Sequence, residues 1–292
     1  MRTIQYEIGE DQDGMQVERV LKGKGYSRAL LTSLKKNDGL KLNGGHIRTI
    51  DRVKCGDVIT VIMKDVSGAA PNASLNARIV YDDEDIVIFD KPADMPVHTS
   101  IWHGHDTLAN LFSALYPDDF CHTIGRLDKN TSGLIAVAKN KLAASLLMSE
   151  LAEHAPEKLY YAVTSSSIVR EFGECGEIIA PIARDRENVI KRAVRDDGEY
   201  AHTKFRVLKY DKNYCLLEVR ILTGRTHQIR VHLSYLGYPL IGDKLYGGDT
   251  RFLKRQALHC GELTMVQPIT GEKISLSSPL PEDISALFDK IG

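Results

Sequence analysis

The stretch Gly125-Arg126-Leu127-Asp128-Lys129-Asn130-Thr131-Ser132-Gly133 runs directly into the apolar segment Leu134-Ile135-Ala136-Val137-Ala138. Asp and Asn set among Gly, Thr and Ser predict a tight loop whose side chains bond their own backbone. The apolar segment reads as a strand bounded by that turn. A loop of this kind holds one carboxylate rigidly at a sheet edge, where catalytic groups are often found. Taken alone, the stretch also suits a plain polar turn.

Further strand-like runs lie around it, at Ile86 to Phe89, Leu134 to Val137, Tyr160 to Thr164, Ala201 to Leu208 and Leu216 to Ile221. Helices are predicted at Thr107 to Leu115, Lys141 to Glu153 and Thr226 to Leu236. Strands with few regular crossover helices predict an α+β domain built on a mixed or antiparallel sheet. Upstream, Val66-Ser67-Gly68-Ala69-Ala70-Pro71-Asn72 reads as a linker between a small α+β domain at 13–66 and a large one at 72–292. In the small domain Ser27 is placed to cap a helix from Arg28 to Lys36, with Asn37-Asp38-Gly39 as its stop. Leu40 to Asn43 and Val58 to Met63 read as strands, with Asn43-Gly44-Gly45 as a hairpin turn.

Charge divides along the same line. Residues 13–64 hold eleven Lys/Arg against five Asp/Glu, a net of +6, so the rest of the chain carries −7 of the overall −1. A basic module on a mildly acidic body suits a polyanion, and equally a solvated basic face. No apolar run reaches the length of a membrane span. The start, Met1-Arg2-Thr3-Ile4-Gln5-Tyr6, lacks the pattern of a secretory signal. Five cysteines at wide spacing, with no CxxC pair, suggest neither a disulfide framework nor a zinc knuckle. The expectation is a cytoplasmic protein without a membrane anchor.

The loop around Asp128 resembles the Arg-Leu-Asp-x-x-Thr-Ser-Gly-Leu signature of the RluA-type pseudouridine synthases, which modify ribosomal and transfer RNA. Other segments carry the same resemblance in the same order. Asp83-Glu84-Asp85-Ile86-Val87-Ile88-Phe89-Asp90-Lys91-Pro92 is similar to the family's opening strand and Lys-Pro turn. Lys158-Leu159-Tyr160-Tyr161-Ala162-Val163 is similar to its Lys-x-Tyr-x-Ala motif, and Gly224-Arg225-Thr226-His227-Gln228-Ile229-Arg230-Val231-His232 to its Arg-Thr-His-Gln-Ile-Arg-x-His motif. Gly242-Asp243-Lys244-Leu245-Tyr246-Gly247 and Leu258-His259 complete the set over residues 75–282. One departure is Gly125, where many members have His. The basic segment resembles the S-four RNA-binding domain through Tyr26-Ser27-Arg28, Lys35-Lys36, Leu42-Asn43-Gly44 and Gly56-Asp57-Val58-Ile59, with a glycine-interrupted first helix from Gln16 to Lys24.

The resemblance implies isomerisation of uridine to pseudouridine in structured RNA, large-subunit ribosomal RNA or transfer RNA, without a small-molecule cofactor or metal. It assigns the catalytic carboxylate to Asp128, either attacking the sugar or stabilising charge on it. It places Arg225 in a salt bridge with Asp128, fixing the carboxylate's rotamer. It stacks Tyr160 on the uracil, with the hydroxyl set to take the proton from carbon 5. Arg126 would fill the gap left by the flipped nucleotide. Lys158 in the large domain and Arg28, Lys35 and Lys36 in the small one are the further expected RNA contacts. A monomer is the default.

His98, His103 and His105 around Trp102 invite a metal reading, but no familiar ligand pattern accompanies them, and loop or RNA-contacting histidines fit better. The helix carrying His227, Arg230 and His232 reads as scaffold for Arg225, with phosphate contact as a further role, and not as a ligand set. The competing class is a catalytically inactive RNA-binding protein, in which binding alone would not demand Asp128, Tyr160 and Arg225 together. A glycosidase or nucleosidase is disfavoured by the basic module and by the lack of a second acid in the loop.

Overall fold

The computed structural model describes residues 1–64, 67–153 and 156–289. Val66 of the expected linker, and the positions 66 and 290–292 that close the two expected domains, lie outside them. The amino-terminal unit comprises β1 (Arg2–Glu7), α1 (Val17–Gly23), α2 (Arg28–Lys36), β2 (Leu40–Leu42), β3 (Gly45–His46) and β4 (Val58–Met63). Its four-stranded sheet has the order β1-β4-β2-β3, so the unit includes residues ahead of 13. Helix α2 starts where the Ser27 hydroxyl accepts from the Leu30 amide, and its Leu30, Leu31 and Leu34 face the sheet. Helix α1 forms in spite of Gly23 because Val17, Val20 and Leu21 are buried together.

The larger unit begins with β5 (Arg78–Asp82), β6 (Ile86–Lys91), α3 (Leu108–Leu115), β7 (His122–Ile124), β8 (Ser132–Ala138), α4 (Lys141–Glu153) and β9 (Glu157–Ser165). It continues with α5 (Ser167–Phe172), β10 (Cys175–Ile179), β11 (Ile182–Arg184), β12 (Arg192–Val194), β13 (His202–Tyr210) and β14 (Tyr214–Ile221). It closes with α6 (Gln228–Tyr235), β15 (Leu258–Val266), β16 (Lys273–Ser277) and α7 (Glu282–Asp289). The main sheet runs β10-β13-β14-β9-β15-β8-β6-β5, with β16 added to β15 and β7 to β8. Its described pairs are antiparallel except β15 with β8, which makes the sheet mixed and the chain α+β. Every residue of β8 is buried, as an unbroken apolar central strand should be.

The β8–β15 contact positions the site. Gly133 pairs with Cys260, and a side chain at 133 would meet the Cys260 carbonyl oxygen at 2.2 Å. Its φ of +111° also excludes most other residues. Cys260 in turn faces Tyr160 of β9, so one transverse row reads Lys91, Gly133, Cys260, Tyr160, Val219. Residues in such a row point to the same face of the sheet.

The two units are packed on each other. Leu142 of α4 belongs to the amino-terminal core, and Arg2 of β1 bonds the buried Asp85 at 2.9 Å, which also accepts from Asn140 at 2.8 Å. Ahead of the larger sheet the chain is pinned to α3, with Asn110 Nδ2 donating to the Ala70 carbonyl at 2.7 Å.

Candidate active site

The loop from 125 to 131 hangs between β7 and β8 and closes on itself where the Thr131 amide donates to the Asp128 carbonyl at 3.0 Å. From beneath, the buried Lys91 ammonium donates to the carbonyls of Pro92, Met95 and Lys129 at 2.8, 2.9 and 3.0 Å. Burial pulls the Lys91 ammonium down to about 7, against the upward pull of Asp128 nearby. Three carbonyl acceptors need three N–H donors, which only the charged form has, so the cage fits the ammonium. Lys91, of the Lys-Pro turn, thus tethers the loop that carries Asp128.

The salt bridge expected between Arg225 and Asp128 is made by Arg230 instead. Arg230 Nη1 donates to Asp128 Oδ2 at 2.9 Å, while Nε and Nη2 bond the two oxygens of Asp243 at 2.7 and 2.9 Å. Burial alone would lower the Arg230 pKa, but the bonds to Asp243 and Asp128 more than offset it, and the guanidinium is held charged. The reason for the exchange is where the helix begins. His227 takes a left-handed conformation (φ 59°) as N-cap, and Gln228 locks the preceding turn by accepting from Thr223 Oγ1 and the Arg225 amide. Gln228 also donates to the His202 carbonyl, and His232 bonds Thr203 Oγ1 and the Ala180 carbonyl, so α6 lies against β13 with Arg230 turned inward. Arg225 stays in the turn before the helix, where it pairs with Glu199 and donates to the Tyr200 carbonyl at 3.0 Å.

A cavity of about 510 Å³ opens above this arrangement, lined by Asp128, Arg126, Lys158, Tyr160, Arg225 and His227 among others. Tyr160 is buried, and burial raises its pKa well above the usual phenol value. Tyr161, on the other face of β9, reaches Glu262. Lys158, on the Tyr160 face, donates to the Ile124 carbonyl at 3.4 Å, and burial depresses its pKa. Its Nζ lies where a side chain at 125 would begin, 3.0 Å from that Cβ position. Arg126 is exposed at the rim and donates to Thr226 Oγ1 at 3.3 Å. His227 Nε2 stands 3.8 Å from Asp128, with Nδ1 bonded to the Tyr246 hydroxyl at 2.9 Å. Burial lowers the His227 pKa despite Asp128, which makes it a neutral neighbour at pH 7.

Arg28, Lys35 and Lys36 are exposed on α2 in the amino-terminal unit, apart from this cavity. The sequence gives no separate signal for Arg230, Asp243 and His227 as site residues, although it marks the motifs that contain them. Among the described residues no three His, Cys, Asp or Glu gather as a metal-holding group, and His103 pairs with Asp106 at 2.6 Å. No helix is long and apolar enough to cross a membrane among the described residues.

A carboxylate held by a buried arginine, beside a buried tyrosine in an open cleft, suits chemistry on a sugar and the ring attached to it. The family model described as RNA pseudouridylate synthase matches residues 85–235, and the chain belongs to that family. Among its relatives, the chain is 33% identical over 303 aligned residues to "Uncharacterized RNA pseudouridine synthase YlyB" of Bacillus subtilis, covering 100% of this chain and 99% of that one. It is 33% identical over 286 residues to "Ribosomal large subunit pseudouridine synthase D" of Xanthomonas campestris, covering 91% and 85%. The solved structure of "Human RNA Pseudouridylate Synthase Domain Containing 1" matches with a TM-score of 0.60 at 27% identity, over 72% of this chain and 85% of that one. The protein is an RNA pseudouridine synthase, an isomerase.

Proposed function

We propose that this synthase isomerises uridine in large-subunit ribosomal RNA, in the cytoplasm and as a monomer, with Asp128 as its catalytic carboxylate. The observation that carries the reading is the Asp243–Arg230–Asp128 chain, which fixes one acid at the mouth of the cleft beside Tyr160. The choice of RNA is supported by relatives from several bacteria whose names specify the ribosomal large subunit, at 32–35% identity.

A uridine stacked in RNA is out of reach, so the nucleotide is flipped into the cleft, with Arg126 at the rim filling its place. Asp128 then attacks the sugar or stabilises the charge that develops as the bond to N1 breaks. The freed uracil turns against the Tyr160 ring, and C5 bonds to the sugar carbon, releasing the Asp128 carboxylate where it had attacked that carbon. The C5 proton must leave and N1 must gain one. With its raised pKa the Tyr160 hydroxyl acts as a relay, passing on its own proton as it takes the one from C5. No step in this sequence changes oxidation state.

Release of tritium from C5-labelled uridine in unmodified large-subunit ribosomal RNA and in transfer RNA tests the proposal. Wild type is expected to release label from the former, and Asp128→Asn to retain RNA binding with turnover reduced by at least about a hundredfold. Residual activity within tenfold of wild type removes Asp128 from the role, and release from transfer RNA alone removes the substrate choice.

A further inference from the structure

Two of the most exposed large apolar side chains in the described structure are neighbours. Ile101 is 91% exposed and Trp102, the only tryptophan in the chain, is 84% exposed. The turn beneath them is firmly built. The Ser100 amide donates to the His103 carbonyl at 2.9 Å and the His103 amide to the Ser100 carbonyl at 3.1 Å, closing a small bridge. The Trp102 amide donates to Ser100 Oγ at 3.3 Å. Asn110, within the Thr107 capping box, donates to the Gly104 carbonyl at 2.9 Å, and Asn72 to the His105 carbonyl at 2.7 Å. An anchored turn that presents an indole and a branched aliphatic chain to water leaves apolar surface uncovered at a fixed place.

The root of the segment lies close to the cleft. At the root of the segment, His98 Nε2 bonds Thr123 Oγ1 at 3.0 Å on β7, the strand that leads straight into Gly125, Arg126 and Asp128. Thr123 immediately precedes Ile124 of the cleft lining, which puts the root of the segment beside the cleft. His98, His103 and His105 lie within four residues of Trp102 in the same segment, without a metal-holding set among the described residues. Extruding one nucleotide breaks its stacking on both neighbours, and unpaired bases are commonly received on aromatic side chains. A protein partner would meet a narrow tip here instead of a broad apolar patch.

We propose that the Ile101–Trp102 tip is an RNA-docking element that stacks on an unpaired base of the substrate flanking the flipped uridine. This rests on the RNA substrate of the family and not on the role given to Asp128. Trp102 reports on it directly, because all tryptophan emission from the chain comes from this one residue. Two probes are titrated, an unmodified large-subunit ribosomal RNA transcript and total transfer RNA, with affinity measured in parallel by filter binding and tritium release by turnover. At saturation by whichever RNA is turned over, Trp102 emission is expected to be quenched, and Trp102→Ala is expected to bind that RNA about 5- to 100-fold more weakly. Trp102→Phe, which keeps an aromatic face, should recover most of the loss.

Unchanged emission from RNA-saturated wild type, with unchanged affinity in Trp102→Ala, overturns the inference even where turnover of the ribosomal transcript is normal. Quenching by transfer RNA, with turnover of that RNA alone, supports the tip while refuting the ribosomal substrate. An emission shift with phosphatidylglycerol vesicles and none with either RNA also overturns it. Because the tip lies outside the core, the wild-type emission reads the contact even if a variant folds poorly.

Discussion

Asp243 takes both the Nε and the Nη2 hydrogens of Arg230, leaving Nη1 alone to meet Asp128. The arginine is therefore aimed by one buried carboxylate at another that is partly open to the cleft. Arg230→Met leaves the Asp243 charge buried without a partner, which costs about 3–5 kcal/mol of stability. It should also lower turnover by at least about a hundredfold. Arg225→Met breaks an exposed pair with Glu199, worth about 0–1 kcal/mol, and a hydrogen bond to the Tyr200 carbonyl, and should cost turnover less than about tenfold. Urea unfolding and tritium release on both variants check this, and the reverse ranking would return the pairing role to Arg225.

Tyr160→Phe is expected to bind RNA near wild-type affinity while losing turnover by about a hundredfold or more, since the ring remains and the hydroxyl is gone. Tyr160→Leu should impair both, with the stacking loss worth about 1–3 kcal/mol. Tyr161→Phe is the control, because that hydroxyl reaches Glu262 on the opposite face of β9. Filter binding and single-turnover rates separate the two quantities. A crippled Tyr161→Phe beside an active Tyr160→Phe would reverse the assignment.

Gly125 and Lys158 should behave as one unit. A methyl group at 125 would stand 3.0 Å from Lys158 Nζ at a φ of +75°, so Gly125→Ala is strained and displaces the ammonium from the cleft wall. Gly125→Ala and Lys158→Met are each expected to lower kcat/KM about tenfold, and the double variant little more than either single one. A product of the two effects in the double variant would show that the positions act separately.

The basic face of α2 is better tested by substitution than by removing the amino-terminal unit. Truncation would uncover Leu142 and leave Asp85 without Arg2. Changing Arg28, Lys35 and Lys36 together to Ala should leave the fold intact, since all three are exposed. The slope of log affinity against log salt should flatten by about 2–3, at about 0.7–0.9 for each phosphate that is no longer neutralised. Equal slopes for the variant and the wild type would show that α2 does not touch RNA.

Local chemistry decides what is legible in the sequence alone. Helix α2 can be read from Arg28 to Lys36 because Ser27 caps it and Leu30, Leu31 and Leu34 repeat at helical spacing. The loop at Asp128 can be read because its turn closes within three residues. Choosing between Arg225 and Arg230 is different in kind. It depends on Gln228 bonding His202 and Thr203, more than twenty residues away, and on a left-handed His227 that no local pattern announces. β10 and β12 escape a sequence reading for a related reason. Both are short and half-exposed; β10 finds its partner β13 only beyond two further strands, and β12 pairs locally with the three-residue β11, too short for its alternation to show. β1 carries a visible alternation of Ile4 and Tyr6, yet its partner β4 lies more than fifty residues on.

β15 has a consequence for when the enzyme can exist at all. It is inserted between β8, which follows the Asp128 loop, and β9, which carries Tyr160, so the two are held about two strand spacings, or roughly 10 Å, apart. That spacer is residues 258–266, beyond the 85–235 region matched by the family model. A chain that lacks β15 keeps the Arg230–Asp128 and Lys158–Ile124 bonds as possible ties, but not the strand that spaces its acid from its tyrosine. Activity is therefore expected only once residues 258–266 have joined the sheet, and a chain ending before residue 258 would hold every proposed active-site residue without the strand that spaces them.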